Sequence, residues 1–159
     1  MSARECRPGP HEVRLELPAA HSATALARGV LRKFAAGEGV AAADLDVLDL
    51  VVSELFSNAV DHGGGRAAME ESDLSDDVRV GLHLHAADGS WTLSVTDQGG
   101  GDPAEVEPFL DPKTPPDLSD ERGRGFFLLA SMVDALSVGR SGDGLGLEFV
   151  ARKRASEEP

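Results

Sequence analysis

Three short stretches of this sequence carry groups suited to phosphate and metal-ion chemistry, and the first lies in a predicted helix over 44–62. Its apolar residues recur every three or four positions, the pattern of a helix with one buried side. Glu54 and Asn58 are four residues apart and share a polar face away from that side. A carboxylate there can act as a general base, and a carboxamide oxygen is a ligand that Mg²⁺ accepts. The simpler interpretation is a solvent-facing helix side with two polar residues.

The second stretch, Asp97-Gln98-Gly99-Gly100-Gly101, directly follows a predicted strand. Glycines let the backbone approach a flat ligand closely, because they carry no Cβ. The carboxylate of Asp97 can accept a hydrogen bond from an exocyclic amine. The alternative interpretation is a flexible turn.

The third stretch is Gly123-Arg124-Gly125, which leads into a predicted helix. Exposed amides and the helix dipole favour anions at a helix N-terminus, and Arg122 and Arg124 would add positive charge beside a phosphate. The dinucleotide-binding fingerprint fails because Leu128 stands where its third glycine is required, and no Gly-Lys-Ser/Thr follows to make a Walker A loop. The alternative is an ordinary junction between a loop and a helix.

Composition excludes several functional classes. The 159 residues carry a formal net charge of −13 and are 41% hydrophobic, so a general nucleic-acid surface, an anionic-membrane surface and a disordered chain are all disfavoured. Cys6 is the single cysteine, which excludes an internal disulfide. No apolar run reaches the length of a membrane span, and residues 1–11 lack the apolar region of a secretory signal. We expect a soluble, cytoplasmic protein of one domain.

Hydrophobic periodicity predicts an α+β fold with one sheet covered on one face by helices. Asp88-Gly89 is typical of a hairpin turn. Asp44 is a candidate N-cap for the second helix. The predicted elements are a strand at 13–17, helices at 21–36 and 44–62, strands at 78–85 and 91–96, a helix at 125–136, and a hairpin of 137–140 with 144–151.

Four segments are predicted to lie outside the regular elements. Residues 1–11 are expected to form a disordered leader, 66–77 an acidic surface loop, and 153–159 a polar tail, which leaves a domain over 12–152. The segment 97–123 holds three consecutive glycines and five prolines, and we expect it to lack secondary structure. A long loop of this kind inside a compact domain is usually functional or disordered.

Two histidines outside these stretches are candidate metal ligands. His83 and His85 lie on the polar face of a predicted strand. Because the sequence shows no third ligand, we interpret them as surface residues rather than as a metal-binding pair.

The order of the three stretches resembles the ATP-binding domain shared by gyrase B, heat-shock chaperones of the ninety-kilodalton class, histidine kinases and mismatch-repair proteins. In this family, named GHKL or Bergerat, residues 53–63 resemble the N box, 97–101 the first glycine box and 123–128 the second. The resemblance runs from Val13 to about Arg152. It implies a two-layer sandwich in which helices cover one face of a mixed, mainly antiparallel sheet.

Within the family the chain looks most like the free-standing anti-sigma-factor serine/threonine kinases, because the larger members carry further domains. That resemblance implies ATP and Mg²⁺ as cofactors and transfer of the γ-phosphate to a Ser or Thr of an anti-anti-sigma, STAS-like protein. It also implies sequestration of a sigma factor and formation of a homodimer. The alternatives are a non-catalytic regulatory module whose protein binding is tuned by ATP, and a degenerate relative that binds no nucleotide.

The resemblance assigns roles residue by residue. It makes Glu54 the catalytic base, Asn58 the Mg²⁺ ligand and Asp97 the partner of the adenine amine. Close backbone approach to the nucleotide is assigned to Gly99 and Gly101, phosphate binding to Arg122, Gly123, Arg124 and Gly125, and the role of a lid to about 102–123.

The sequence departs from the family pattern in its last strand. Members often have Gly-Thr there, with the Thr near adenine, whereas Gly146 is here followed by Leu147 and Glu148. Adenine contacts from this strand are therefore not expected to follow the pattern. His62 fits the family, and we interpret it as making a structural hydrogen bond at the helix end.

Overall fold

The computed structural model of the chain describes residues 11–63, 79–111, 113, 119 and 121–156. The acidic loop predicted at 66–77, residues 1–10 of the predicted leader, and most of 112–120 lie outside the described residues. No helix within the described ranges combines the length and apolar character needed to cross a bilayer.

A five-stranded antiparallel sheet forms one layer of the molecule, with the strand order β1-β2-β3-β5-β4. The strands are β1 (His11–Pro18), β2 (Arg79–Ala87), β3 (Ser90–Thr96), β4 (Ala135–Arg140) and β5 (Leu147–Lys153). The turn between β2 and β3 has φ of 55° at Asp88 and 80° at Gly89. Both central residues are therefore left-handed, as a two-residue hairpin with the twist of the sheet requires, so the predicted hairpin is confirmed.

Helices form the second layer. The α-helices are α1 (Thr24–Gly37), α2 (Ala42–Asn58), α3 (Pro103–Val106) and α4 (Glu121–Met132), with 3₁₀ turns at His21–Ala23 and Glu107–Leu110 and a π-helical turn at Ala59–Gly63. The apolar positions of α2 predicted from its spacing, among them Leu48, Val52 and Leu55, are fully buried. They pack in one core with the inward residues of the central strands, such as Leu93 and Phe149. The predicted α+β class is therefore confirmed.

Several predicted boundaries were wrong. The second predicted helix begins at Ala42 rather than Asp44, and its N-cap, Ala41, makes no side-chain cap. The helix predicted at 125–136 runs from Glu121 to Met132, and Leu136 belongs to β4. Gly123 and Arg124, which are predicted to precede this helix, lie inside it.

The segment 97–123 was expected to lack secondary structure, but it contains α3 and a 3₁₀ turn. The carboxylate of Asp102 accepts a hydrogen bond from the N–H of Ala104, and Pro103 takes the first helical position. Val106 and Leu110 are buried and attach the segment to the core. Asx capping followed by proline is a helix start that could have been recognised in the sequence.

The two predicted ends of the domain also need correction. His11 belongs to β1 rather than to a leader, and Lys153 belongs to β5 rather than to a tail. Ser156, three residues further on, donates hydrogen bonds from its N–H and its hydroxyl to the two carboxylate oxygens of Asp44. The chain after β5 is therefore attached to the first turn of α2.

Asp44 is a buried charge whose partners come from this distant segment. Its exposed fraction is 1%, and Lys153 Nζ lies 3.5 Å from Oδ1. Burial raises the pKa of Asp44, but the hydrogen bonds from Ser156 and the charge of Lys153 outweigh it, so the pKa lies below its ordinary value of 3.8. An acidic group in the first turn is also favoured by the helix dipole.

We expect Asp44→Asn to lower the free energy of unfolding by about 1–3 kcal/mol at pH 7, because it weakens a buried charge-assisted network. Since the folded-state pKa is depressed, this contribution is complete above the unfolded value near 3.8 and is lost as the pH falls through the folded value. The difference between the two proteins should therefore shrink below that pH. Urea denaturation at several pH values measures it.

Asp46→Asn is the matched control, because Asp46 lies on the same helix, is 73% exposed and pairs with Arg32. A surface ion pair contributes about 0.5 kcal/mol or less. Equal losses in the two variants would contradict a special role for Asp44.

Candidate functional site

The polar face predicted for α2 is present at its C-terminal end. Glu54 and Asn58 are half-buried, whereas Leu55 and Ala59 beside them are buried. Asn58 is the last residue of the α-helix, and the next turn is π-helical. Widened turns of this type occur mostly as single turns and frequently at functional sites.

The carboxylate of Glu54 lies against the second glycine stretch. A Cβ placed on Gly125 would come within 2.9 Å of Glu54 Oε2. A residue other than glycine would therefore have to displace this carboxylate. The contact places Glu54, the predicted general base, beside α4.

The stretch predicted to bind phosphate from a loop before the helix is itself helical. Gly123, Arg124 and Gly125 do not precede the helix, because α4 begins at Glu121. They lie within its first two turns, where the positive end of the helix dipole still favours an anion. Gly123 is buried and Arg124 is exposed, while the side chain of Arg122 lies outside the described part.

Asp97 connects the end of β3 to β5. Its exposed fraction is 4%, and its Oδ1 accepts hydrogen bonds from the N–H of Gly99 at 3.0 Å and of Leu147 at 3.1 Å. Its own N–H donates to the carbonyl of Leu147 at 3.0 Å. Among the described residues, no donor binds Oδ2, so one face of this carboxylate is left for another partner.

Gly146 makes this arrangement sterically possible. A Cβ at Gly146 would lie 2.3 Å from Asp97 Oδ1 and 2.4 Å from its carbonyl oxygen. These distances are far inside van der Waals contact, and one of the atoms is backbone. The glycine before β5 is therefore required by the position of Asp97.

A cavity of about 220 Å³ opens beside Asp97. Its walls come from the π-helical turn, the loop after β3, α3 and the start of β5, and the lining residues are His62, Asp97, Gly101, Asp102, Glu105, Val106 and Leu147. Pockets that hold drug-sized ligands measure about 300–1,000 Å³. The cavity is thus large enough for a ring system but too small to enclose a nucleoside triphosphate.

Leu147 stands where the resembled family often has threonine. Its side chain lines the cavity and approaches Gly101, and its backbone N–H holds Asp97. This position therefore supplies an apolar wall and a backbone donor in place of a hydroxyl.

Asp61 and His62, the third and fourth residues after Asn58, have separate surroundings. Asp61 Oδ1 lies 2.7 Å from Nε2 of His21, which connects the π-helical turn to the turn before α1. His62 lines the cavity, and no hydrogen bond joins its imidazole to any of the described residues. The structural hydrogen bond expected for His62 is therefore not found within the described ranges.

Some of the predicted site residues lie close together in the structure. Asp97 and Gly101 share the cavity with His62, and Glu54 meets Gly125. Neither Glu54 nor Asn58 is among the residues that line the cavity. Sequence reasoning missed the walls formed by α3 and Leu147, although the capping sequence of α3 signalled a folded element there.

A family model covers most of the chain. Residues 17–151 match the model of the histidine kinase-like ATPase domain. The chain belongs to this family. The match spans all three stretches, which confirms the resemblance inferred from them.

Among solved structures, this chain is similar to the crystal structure of the RsbU and RsbW domains of Rv1364c from Mycobacterium tuberculosis, with a TM-score of 0.55 and 20% identity. The similarity covers 91% of this chain and 32% of that one, so the chain spans about a third of the length of its neighbour. At this identity the likeness shows the fold alone. No curated protein matches the sequence.

We expect Gly146→Ala to destabilise the protein by about 1–3 kcal/mol, because the new methyl group overlaps Asp97 and overpacks its surroundings. Gly142→Ala is the matched control in the same hairpin, since a Cβ there meets nothing within 4 Å. Its effect should stay within about 0.5 kcal/mol.

Urea denaturation measures both losses. Amide hydrogen exchange at Leu147 should report the lost hydrogen bond to Asp97 in Gly146→Ala only. Equal stability of the two variants would contradict the required glycine.

Proposed function

We propose that this protein is an ATP-binding regulatory serine/threonine kinase of the anti-sigma-factor type. The observation that carries the proposal is the contact of the Glu54 carboxylate with Gly125, which places an acid beside the positive end of α4. Membership of the histidine kinase-like ATPase family supports the nucleotide, and the RsbW-containing neighbour supports the regulatory branch.

The residues present fit adenine on one side of the site. Oδ1 of Asp97 is held by two backbone amides, and Oδ2 remains as an acceptor for the exocyclic amine. Leu147 and Val106 offer apolar surface to the ring from the cavity walls. Gly99 and Gly101 would allow close backbone approach to the base and sugar.

The residues also fit a magnesium–triphosphate group. Asn58 offers a neutral amide oxygen one helical turn from Glu54, and Mg²⁺ prefers oxygen ligands while retaining several waters. Phosphate oxygens would lie against Gly123, Gly125 and the guanidinium group of Arg124, and the sequence prediction that Arg122 also binds phosphate is part of the same proposal. When bound, Mg·ATP supplies the transferable γ-phosphoryl group.

Glu54 is proposed to act on the acceptor. In phosphoryl transfer the protein contributes mainly position, charge neutralisation and an oriented nucleophile. A half-buried carboxylate can accept the proton of a Ser or Thr hydroxyl while the γ-phosphate is held against α4. A module that only binds ATP has no need for a base at this position.

Nucleotide entry requires part of the predicted lid to move. The cavity of about 220 Å³ is closed on one side by Asp102, Glu105 and Val106, which belong to or adjoin α3. We propose that α3, a described part of the lid predicted at about 102–123, moves outward to admit the triphosphate and closes again over it.

The proposed partners are those implied by the resemblance to the anti-sigma-factor kinases. The acceptor is an anti-anti-sigma, STAS-like protein, and the captured protein is a sigma factor, which would place this chain in the cytoplasm as a regulator of transcription. A homodimer belongs to the same proposal.

We expect Glu54→Gln to bind Mg·ATP with near wild-type affinity but to lose about 10²- to 10⁴-fold in phosphotransfer, because only the proton acceptor is removed. The assay uses γ-phosphate-labelled ATP and a panel of purified STAS-domain proteins, with calorimetry for nucleotide binding. Asp46→Asn, on the exposed side of the same helix, should transfer phosphate at the wild-type rate.

Undiminished transfer by Glu54→Gln would remove Glu54 as the base. Intact Mg·ATP binding with no labelled acceptor for the wild type would instead favour a non-catalytic, ATP-tuned binding module. A capture experiment that compares ATP with ADP then detects such a module.

We expect Asp97→Asn to weaken Mg·ATP binding by about 10- to 100-fold, since the new amide presents a donor to the adenine amine. Its carbonyl oxygen can still accept from Gly99 and Leu147, so the melting temperature should change little. Asp102→Asn is the control because it removes the same charge from the same cavity and retains its cap on Ala104.

Calorimetry with Mg·ATP measures both variants, and Asp102→Asn should bind at least as tightly as the wild type. Equal affinity of Asp97→Asn and wild type would contradict the adenine assignment.

A further inference from the structure

The outer face of the sheet, which no described helix covers, carries a cluster of three potential ligands: Glu12 of β1 and His83 and His85 of β2. Glu12 Oε2 lies 3.0 Å from Nε2 of His83 and 3.2 Å from Nε2 of His85. One ligand atom from each residue lies within 4.8 Å of both others. The side chains are 43%, 26% and 37% exposed, so a solvated ion can reach them.

The strand register brings these residues together. His83 and His85 are two apart on β2 and therefore project from the same face. Their ring centroids are 4.3 Å apart. In the antiparallel pair of β1 with β2, Glu12 stands directly opposite His85. The sequence reveals the two histidines but not this third residue, which is 71 positions from His83.

The donor set is that of a transition-metal site. Two imidazoles and one carboxylate suit Zn²⁺ and similar ions, whereas Mg²⁺ prefers oxygen ligands alone. Zinc bonds of about 2.0–2.2 Å at tetrahedral angles place two ligand atoms about 3.3 Å apart. The two contacts of Glu12 Oε2 agree with that separation within a few tenths of an ångström.

We propose that Glu12, His83 and His85 bind one divalent transition-metal ion of the zinc class, with water at the remaining position. The site is independent of the proposed nucleotide site, because Asp97 faces the helices and these three residues face the opposite side of the sheet. An ion here would connect the edge strand β1 to β2.

The surroundings of the cluster contain both signs of charge. Arg14 Nε lies 4.0 Å from the other oxygen of Glu12. A cavity of about 200 Å³ beside His83 is also lined by Glu16 and Glu148. The hydrogen bond from His83, the largest influence, lowers the pKa of Glu12, so its carboxylate is ionised at neutral pH.

The test is calorimetric titration of the metal-free, full-length chain with ZnCl₂ at neutral pH and without nucleotide, since ATP itself chelates metals. We expect one ion per chain and a higher melting temperature with zinc. His83→Asn and His85→Asn should each weaken binding by about tenfold or more. MgCl₂ should give no binding that these substitutions alter.

His21→Asn is the matched control, because His21 is also an exposed imidazole paired with a carboxylate, that of Asp61, and no second histidine among the described residues pairs with that carboxylate. It should bind zinc like the wild type. Circular dichroism of each variant verifies that these surface substitutions leave the fold intact.

Cobalt(II) absorption provides a second readout. Visible bands without a thiolate charge-transfer band would support ligation by nitrogen and oxygen. A thiolate band, which would identify Cys6 as a ligand, overturns the assignment. Unchanged zinc affinity in both histidine variants also overturns it, as does no uptake by the wild type, since the cluster would then be held by hydrogen bonds alone.

Discussion

The candidate site depends on two carboxylates that lie closer to their neighbours than any residue except glycine permits. Asp97 occupies the space that a Cβ of Gly146 would fill, and Glu54 lies against the bare Cα of Gly125. Neither acid forms an ion pair with a cation of the described chain. Backbone hydrogen bonds therefore position Asp97, while the missing Cβ of Gly125 leaves room for Glu54, and the charge of both acids remains available to a ligand.

This dependence explains which features the sequence could predict. Local signals sufficed for the buried side of α2, for the turn at Asp88-Gly89 and for the α+β class, because each rests on periodicity or turn chemistry within one element. From the sequence, Gly146 marks only the start of a departure from the family pattern, since its partner Asp97 lies far away in the sequence. The same limit hid the attachment of Asp44 to Ser156, which spans 112 positions.

Charge poses the main physical problem for a nucleotide in this protein. The chain has a net charge of −13, and the cavity beside Asp97 adds Asp102 and Glu105 to the acids facing a ligand. A triphosphate bound alone would be repelled, and the proposed magnesium ion would offset that repulsion. The positive end of α4 and the arginines in its first turns then offset the remaining charge. On this argument, affinity for the nucleotide and affinity for magnesium are one coupled quantity.

Alternation along β2 separates the two proposed sites physically. Its inward residues, such as Leu82 and Leu84, belong to the core beneath the helices, while His83 and His85 face outward. A change on the outer face therefore leaves the packing around the nucleotide site intact. Within the described sheet β1 is an edge strand that pairs only with β2, and exposed edges need side-chain devices that fix their pairing. A carboxylate opposite two imidazoles is such a device, and a bound ion would strengthen it without contact with the helical layer.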